Sequence, residues 1–269
     1  MNPAQQFWMQ TPLLSTRRRN FLGAPVHLLT MRETLQLAVE AMQLRKPLRH
    51  TVVNVAKLVN MQSDPELRTD VGESDVINLD GMGVVWGARL LGLPAPGRVA
   101  GCDLMTELFE RCGIEGFRPF LLGGEAPVLA EVQRRLRVTF PAIDIAGAAD
   151  GYFATDEEQA LVDSIAASGA DCLFVAMPSP RKERFIAKYH AQLNVPFVMG
   201  VGGSFDVYAG KVRRAPKIVQ AVGMEWLFRV AQEPKRLWRR YYDTNWRFIG
   251  LLVHELARSR SAVKAASPF

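Results

Sequence analysis

The sequence predicts an α/β fold, in which a Rossmann-like, mainly parallel sheet carries helices on both faces and is followed by a C-terminal helical appendage. Three observations support this prediction. Short apolar and β-branched runs alternate with segments of helical periodicity between residues 50 and 201, as is typical of right-handed β-α-β units. No strand pattern follows Ala215-Pro216. Hydrophobic residues make up 48% of the 269 residues, which is enough for a buried core and too many for a disordered chain.

The elements follow from these patterns in chain order. Runs rich in apolar and β-branched residues predict strands at 51–55, 75–79, 117–122, 142–146, 171–176 and 196–201. Between them, apolar residues recur at helical spacing. This spacing predicts helices at 57–71 (with a turn), 84–91, 103–112, 127–140, 156–168 and 181–192.

Three parts of the chain are predicted from these elements. Residues 1–20 are expected to form a flexible N-terminal segment, residues 21–215 the α/β domain, and residues 216–269 the appendage. Pro234 separates two predicted helical stretches of the appendage, roughly 216–232 and 235–258. The N-terminus carries its arginines after a weak apolar stretch, the reverse of a signal peptide. No apolar run approaches the roughly 20 residues that a membrane-spanning helix needs.

The charge of the chain is concentrated at its C-terminal end. Residues 211–269 hold 13 Lys and Arg against 4 Asp and Glu, whereas residues 1–210 hold 20 against 23. This asymmetry indicates a polyanionic partner, such as nucleic acid, anionic lipid or a phosphorylated substrate, unless it is only a solvated face. Aromatic residues interleave with the arginines here. They predict core packing, an interfacial segment at a lipid surface, or both on different faces of the helices.

Candidate ligand-binding positions lie just after the predicted strands, because ligands of parallel sheets bind at the carboxyl ends of the strands. Polar residues and glycines are frequent there and favour a nucleotide-type ligand over simple tight turns. These positions are Asn54, Asp80-Gly81, Gly123-Gly124, 147–152, 178–183 and 202–204. Asp80 allows two interpretations: its carboxylate accepts a proton from a substrate hydroxyl, or it caps the following helix.

The sequence lacks the motifs of several common nucleotide-binding, hydrolytic and metal-binding sites. The chain has no GxGxxG, GxxxxGK[ST], GxSxG or DxD pattern, and its four histidines show no metal-ligand spacing. We therefore expect no metal site and no cofactor. If a nucleoside diphosphate leaves during the reaction, its charge needs another partner, and the arginines of the basic C-terminal end are suited to phosphate oxygens.

An ordered series of motifs extends from about Leu22 to Phe248. It comprises Val53-Asn54, Leu79-Asp-Gly-Met-Gly83, Arg98 to Asp103, Leu121 to Gly124, Gly151 to Phe153, Pro178 to Glu183, Gly200 to Asp206, Gly210, Arg214 to Pro216, Gly223 to Arg229 and Glu233 to Arg236. With these motifs, the sequence resembles the WecG/TagA/CpsF glycosyltransferases of bacterial surface-polysaccharide and exopolysaccharide assembly. Each motif alone is weak evidence for the family, but the ordered set is specific to it.

The resemblance implies a function. Such enzymes transfer a sugar from a UDP-sugar to a polyprenyl-diphosphate-linked sugar, with inversion and without a metal. This chain would be a hexosyltransferase, of the N-acetylmannosaminyl- or glucuronosyl-transferase kind. It would be cytoplasmic and peripherally attached to the inner face of the cell membrane, at an anionic lipid surface. No nucleic acid is implied as a partner, and a homo-oligomer is possible.

The resemblance also implies residue roles. Asp80 would be the general base, and Asn54 and Arg98 would line its pocket. The remaining predicted substrate-binding residues match motif positions around the nucleotide, the sugar and the diphosphate: Gly123, Gly124, Tyr152, Lys182, Glu183, Gly203, Ser204, Asp206, Arg229, Arg236 and Arg239. Tyr152 would lie beside the uracil. The last three are appendage arginines that would cover the diphosphate.

Two residues depart from the family pattern. Val52 stands where the family commonly has threonine, and Lys182 stands where it commonly has glutamine. A cation at position 182 would suit an acidic donor sugar or a further phosphate. These departures also leave open an alternative function, a catalytically inactive nucleotide-sugar-binding or assembly protein. A nucleic-acid-binding function rests on the basic end alone.

Overall fold

A computed structural model describes residues 7–221 and 223–266, without the side chains of residues 221, 236 and 259–266. The strands are β1 (Arg18–Phe21), β2 (Ala24–His27), β3 (Leu48–Val53), β4 (Val76–Leu79), β5 (Pro119–Gly123), β6 (Gly147–Ala149), β7 (Cys172–Ala176) and β8 (Phe197–Gly200). The first two form an antiparallel hairpin. The other six form one parallel sheet in the order β4-β3-β8-β7-β5-β6. The predicted fold class is therefore confirmed.

The helices are α1 (Pro12–Arg17), α2 (Met31–Leu44), α3 (Val55–Ser63), α4 (Pro65–Gly72), α5 (Met82–Leu90), α6 (Gly101–Glu115), α7 (Ala126–Thr139), α8 (Glu158–Ala167), α9 (Arg181–Tyr189), α10 (Ser204–Tyr208), α11 (Lys217–Ala221), α12 (Glu225–Gln232) and α13 (Pro234–Ala266). Their apolar residues cover both faces of the sheet. Phe174 of β7 packs in the core with α2, α6, α7 and α10. Its neighbour Val175 packs on the opposite face with α8 and α9, because successive side chains of a strand alternate between faces. The helices α3, α4 and α5 cover that second face over β3 and β4.

The appendage consists of α11, α12 and α13. Pro234 is the first residue of α13, where its missing N–H is tolerated. Phe248 and Leu252 of α13 are buried in the core beside α3 and α5. A Cβ atom at Gly87 of α5 would lie 2.9 Å from the ring of Phe248, so this glycine allows the two helices to approach. The appendage is therefore anchored to the second face of the sheet.

The prediction of a flexible segment over residues 1–20 is corrected for residues 7–20, and residues 1–6 lie outside the described part. Trp8 is buried and donates its indole N–H to the Pro47 carbonyl oxygen over 2.8 Å. Leu14 of α1 is buried as well. These apolar residues anchor the segment to the α/β domain, although they are too few to form a periodic pattern.

The predicted strand at 142–146 was placed too early. The chain turns at 141–142, Ile143 is buried in the core, and the strand that pairs with β5 is β6. A Cβ atom at Gly147 would lie 2.4 Å from the ring of Phe120. The pairing therefore requires a glycine at that position, and apolar content alone gives no indication of this.

One predicted helix is divided in the structure, and several elements were not predicted. The predicted helix at 57–71 is split into α3 and α4, because Asp64 accepts a hydrogen bond from the Leu67 N–H and Pro65 begins the second helix. The β1–β2 hairpin and the helices α1, α2 and α10 were not predicted. Thr30 and Glu33 form a capping box at the start of α2. Within the described residues, no helix combines the length and apolar character needed to cross a membrane.

Candidate active site

The strands β3 and β8 lie side by side, but the chain leaves them toward opposite faces. After β3 it enters α3 on the second face, and after β8 it enters α10 on the first. Such a switch point opens a crevice at the carboxyl ends of the strands, where ligands of parallel α/β sheets bind. The residues that follow β3, β4 and β8 therefore line the candidate site.

Asp80 lies at this edge, directly after β4. Its backbone N–H donates to the Val53 carbonyl oxygen over 2.8 Å, which fixes Asp80 beside the end of β3. Gly81, with φ of 95°, occupies the cap position of α5, and this cap has no side-chain hydrogen bond. The alternative role of Asp80 as a helix cap was therefore wrong. Within the described part of the chain, the Asp80 carboxylate makes no hydrogen bond and no ion pair.

The pKa of Asp80 is raised from 3.8 to about 6. Burial is the main cause, and the nearby Glu225 carboxylate adds to it, while Arg229, Arg98 and Lys57 act in the opposite direction. A carboxyl group with this pKa is largely ionised at pH 7 yet basic enough to accept a proton during a reaction. The position and the pKa of Asp80 both suit a general base.

Arg98 joins the appendage to the site. The backbone N–H of Val99 donates to the Leu79 carbonyl oxygen, so this segment lies along the outer edge of β4. Nη1 of Arg98 donates to Glu225 over 2.8 Å and Nη2 donates to Gln220 over 2.7 Å. Glu225 also pairs with Arg229 at 3.3 Å. Just before the appendage, Arg214 forms an ion pair with Asp103, whose carboxylate is also 3.9 Å from Arg98.

A buried cluster of charges lies on the other side of Asp80. Nζ of Lys57 and Nζ of Lys182 are each 2.8 Å from Oε1 of Glu183. The two lysines lower the pKa of Glu183 to about 2, against the effect of its burial. The side chain of Asn54 caps α3 by accepting a hydrogen bond from the Lys57 N–H over 2.9 Å.

The glycines at the end of β5 serve chain packing. A Cβ atom at Gly123 would lie 2.5 Å from the Ala176 carbonyl oxygen, and φ there is 113°. The Gly124 N–H donates to the same oxygen over 3.1 Å, and its carbonyl accepts from the Gly151 N–H. These contacts bring the loop of Tyr152 close to β5. Tyr152 itself is 74% exposed.

Arg181, which sequence reasoning missed, holds that loop. Its guanidinium donates to the carbonyl oxygens of Gly151 and Phe153 over 2.7 and 3.0 Å and lies over the Phe153 ring. Tyr152 thus lies between Gly151 and Phe153, whose backbone positions are held by Arg181. Next to this loop is an open depression of about 600 Å³ at the β6 edge, lined by residues that include Asp150 and Phe153. None of the charged residues around Asp80 line it.

The turn after β8 contributes the remaining predicted residues of the α/β domain. Gly203 precedes α10, and the buried Ser204 hydroxyl donates to the Val201 carbonyl oxygen over 2.8 Å. Asp206 pairs with Lys211 at 3.6 Å. On the appendage, Arg239 is exposed and the side chain of Arg236 lies outside the described residues. Arg240 of α13, which was not selected as a site residue from the sequence, contributes to lowering the pKa of Lys182.

The site thus brings together Asp80, Asn54, Arg98 and Arg229 at the β3–β4 end, with Lys182 and Glu183 toward β8. Among the described residues, no group of His, Cys, Asp or Glu side chains forms a candidate metal site. In a comparison with known proteins, a family model described as "Glycosyl transferase WecG/TagA/CpsF family" matches residues 19–262.

Glu225 provides a test of this electrostatic arrangement. The substitution Glu225→Gln removes the negative charge that raises the pKa of Asp80 and releases Arg98 and Arg229 from their ion pairs. Both effects stabilise the Asp80 carboxylate, so we expect its pKa to fall from about 6 by roughly 1 unit. The measurement is a carbon-13 NMR titration of the Asp80 carboxyl group. Asp243→Asn, on the exposed side of α13, is the matched control and should leave the value unchanged. An unchanged or higher pKa in Glu225→Gln would contradict the assignment.

Proposed function

The chain belongs to the WecG/TagA/CpsF family of glycosyltransferases, and we propose that it transfers a sugar from a UDP-sugar to a polyprenyl-diphosphate-linked sugar. The family places the chain in surface-polysaccharide synthesis, with a nucleotide-sugar donor and a lipid-linked acceptor in general terms. The proposal adds three features: inversion at the anomeric carbon, independence of metal ions, and Asp80 as the general base.

The reaction is a single displacement. The acceptor hydroxyl oxygen attacks C1 of the donor sugar on the face opposite the diphosphate, while the Asp80 carboxylate takes the hydroxyl proton. The bond between C1 and the phosphate oxygen breaks, and UDP leaves with the bonding electrons. The observation that carries this mechanism is the partly buried Asp80 carboxylate, which has a pKa of about 6 and no side-chain partner in the described structure.

Arginines supply the positive charge that the leaving group requires. Arg98 and Arg229 both act electrostatically on Asp80, and both pair with Glu225. A substrate diphosphate is a stronger anion than one carboxylate and would displace Glu225 from these guanidinium groups. Because Arg229 lies on the appendage, diphosphate binding and closure of the appendage over the site would occur together.

The exposed face of α13 supports attachment to the inner face of the cytoplasmic membrane. Trp238, Tyr242 and Trp246 follow one another at helical spacing, and adjacent rings in this series lie 5.6 and 6.3 Å apart. All three are exposed, and Ile249 and Val253 extend the same apolar strip. Aromatic rings of this kind favour the headgroup depth of a bilayer, and the arginines beside them favour anionic lipid.

The substitution Asp80→Asn tests the proposed base. The amide keeps the shape of the side chain but cannot accept the proton, so the transfer rate should fall by about 10²- to 10⁴-fold. Binding of UDP, measured by calorimetry, should change by less than about threefold. UDP release on mixing donor and lipid acceptor measures the rate. The exposed Asp163→Asn, on α8, serves as the control. Retained turnover in Asp80→Asn would exclude Asp80 as the base, and UDP binding without any turnover in the wild-type protein would favour the inactive alternative.

The triple substitution Trp238→Ala, Tyr242→Ala and Trp246→Ala tests the membrane surface. Loss of three aromatic rings should weaken co-sedimentation with phosphatidylglycerol vesicles by at least tenfold. The double variant Ile114→Ala and Val138→Ala removes equally exposed apolar residues from the α/β domain and should bind as the wild type does. Equal vesicle binding by the triple variant and the wild type would refute this surface.

A further inference from the structure

We propose that one exposed face of α5, formed by Met82, Trp86 and Leu90 and called here the α5 stripe, binds the isoprene units of the acceptor that follow its diphosphate. This inference rests on the proposed function, which supplies an acceptor with a long hydrocarbon chain. It assigns a task to an apolar surface that starts beside Asp80 and that the proposed chemistry does not use.

The α5 stripe is one of three faces of its helix. The face that packs in the core consists of Val84, Val85 and Ala88. A second side carries Gly87 and contacts α13. Met82, Trp86 and Leu90 are four residues apart, so they align along the remaining side. Trp86 is 49% and Leu90 60% exposed, which leaves this side open to a ligand.

The composition of this region is unusual for a surface. Residues 81–97 contain one charged side chain, that of Arg89. Its guanidinium donates to the carbonyl oxygens of Ala95 and Pro96 over 3.0 and 3.2 Å, so its charge is held against the loop after α5. The outer side of a helix normally carries polar residues. Single exposed apolar residues are common, but an aligned set at a candidate active site indicates an apolar ligand.

The position of the α5 stripe favours the acceptor as this ligand. Met82 is the first residue of α5 and follows Asp80 by two residues. From Met82 to Leu90 the helix rises by about 12 Å, so the stripe leads away from the site. An acceptor whose sugar hydroxyl lies at Asp80 carries its diphosphate and hydrocarbon chain beyond that sugar. The donor has no such chain, so the acceptor is the substrate that this face suits.

The appendage borders the α5 stripe. A Cβ atom at Gly223 would lie 2.5 Å from the ring of Trp86 and 2.8 Å from Cβ of Met82, so the turn before α12 rests on the stripe. On the adjoining side of α5, Gly87 contacts Phe248 of α13. The helix α5 therefore connects the candidate site to the helix that carries the proposed membrane surface. A polyprenyl chain would follow α5 on its way to the bilayer.

Binding of short prenyl diphosphates to the full chain tests the proposal. Isopentenyl, geranyl and farnesyl diphosphate carry one, two and three isoprene units on the same diphosphate group. Calorimetry without detergent or lipid compares their affinities for the wild type, Trp86→Ala and Leu90→Ala. The control is Leu44→Ala, which changes a comparably exposed leucine at the end of α2. Leu90→Ala leaves the contact between Trp86 and Gly223 in place, and the thermal midpoint checks the fold of each variant.

We expect the affinity of the wild type to rise with chain length. For farnesyl diphosphate, Trp86→Ala should lose about tenfold and Leu90→Ala about threefold, because each removes apolar contact area. Both variants should bind isopentenyl diphosphate nearly as the wild type does, and Leu44→Ala should match the wild type throughout.

The dependence on chain length separates a hydrocarbon site from other roles of this face. An affinity of the wild type that does not rise with chain length would overturn the proposal. So would the same rise in the wild type and both variants, or equal losses for isopentenyl and farnesyl diphosphate. Weaker binding of the variants to phosphatidylglycerol vesicles, with unchanged affinity for prenyl diphosphates, would assign the face to the bilayer instead. All these results leave the proposed function intact, which fails if the wild type releases no UDP from donor and lipid-linked acceptor.

Discussion

The Asp80 carboxylate is an ionisable group in a partly buried position, and no described side chain of the protein replaces the water that it loses there. Much of the local structure leaves the Asp80 carboxylate without a hydrogen bond or ion pair to the described residues. The cap position of α5 is taken by Gly81, whose positive φ turns the chain without using the acid. Pairing with β3 fixes its backbone. The surrounding cations keep its pKa from rising further, so that it remains a base at neutral pH.

The helices of the appendage have one side packed against the α/β domain and another side exposed. On its inner side, Phe248 and Leu252 are buried against the α/β domain, and Glu225 reaches Arg98. On its outer side, aromatic residues and arginines are exposed. The strongly basic composition of the C-terminal end therefore has two structural explanations: one part of the charge lies over the site, and the other part faces solvent or, under the proposed function, lipid.

The sequence was sufficient for the fold class, because the alternation of apolar strands and amphipathic helices follows directly from burial on both faces of a sheet. It was insufficient for β6, whose position depends on the fit of Gly147 beside Phe120. The hairpin of β1 and β2 escaped prediction because its strands have only four residues each and include Arg18, Arg19 and Pro25. Asp80 and Arg98 were found through their motifs. Lys57, Arg181, Glu225 and Arg240 were not, since their contacts join distant parts of the chain. Arg181 and Glu225 nevertheless lie inside the Pro178 to Glu183 and Gly223 to Arg229 motifs and could have been suspected.

The central claim is that one carboxylate, placed between two groups of cations, acts as the base without a metal ion. The pH dependence of kcat/KM for sugar transfer, measured with and without a chelator, tests it most directly. Asp80 must be ionised to accept the proton, so the rate should rise with pH through an apparent pKa near 6 and then level off, and the chelator should change nothing. A rate that is independent of pH between about 5 and 8, or one that the chelator abolishes, would contradict the claim.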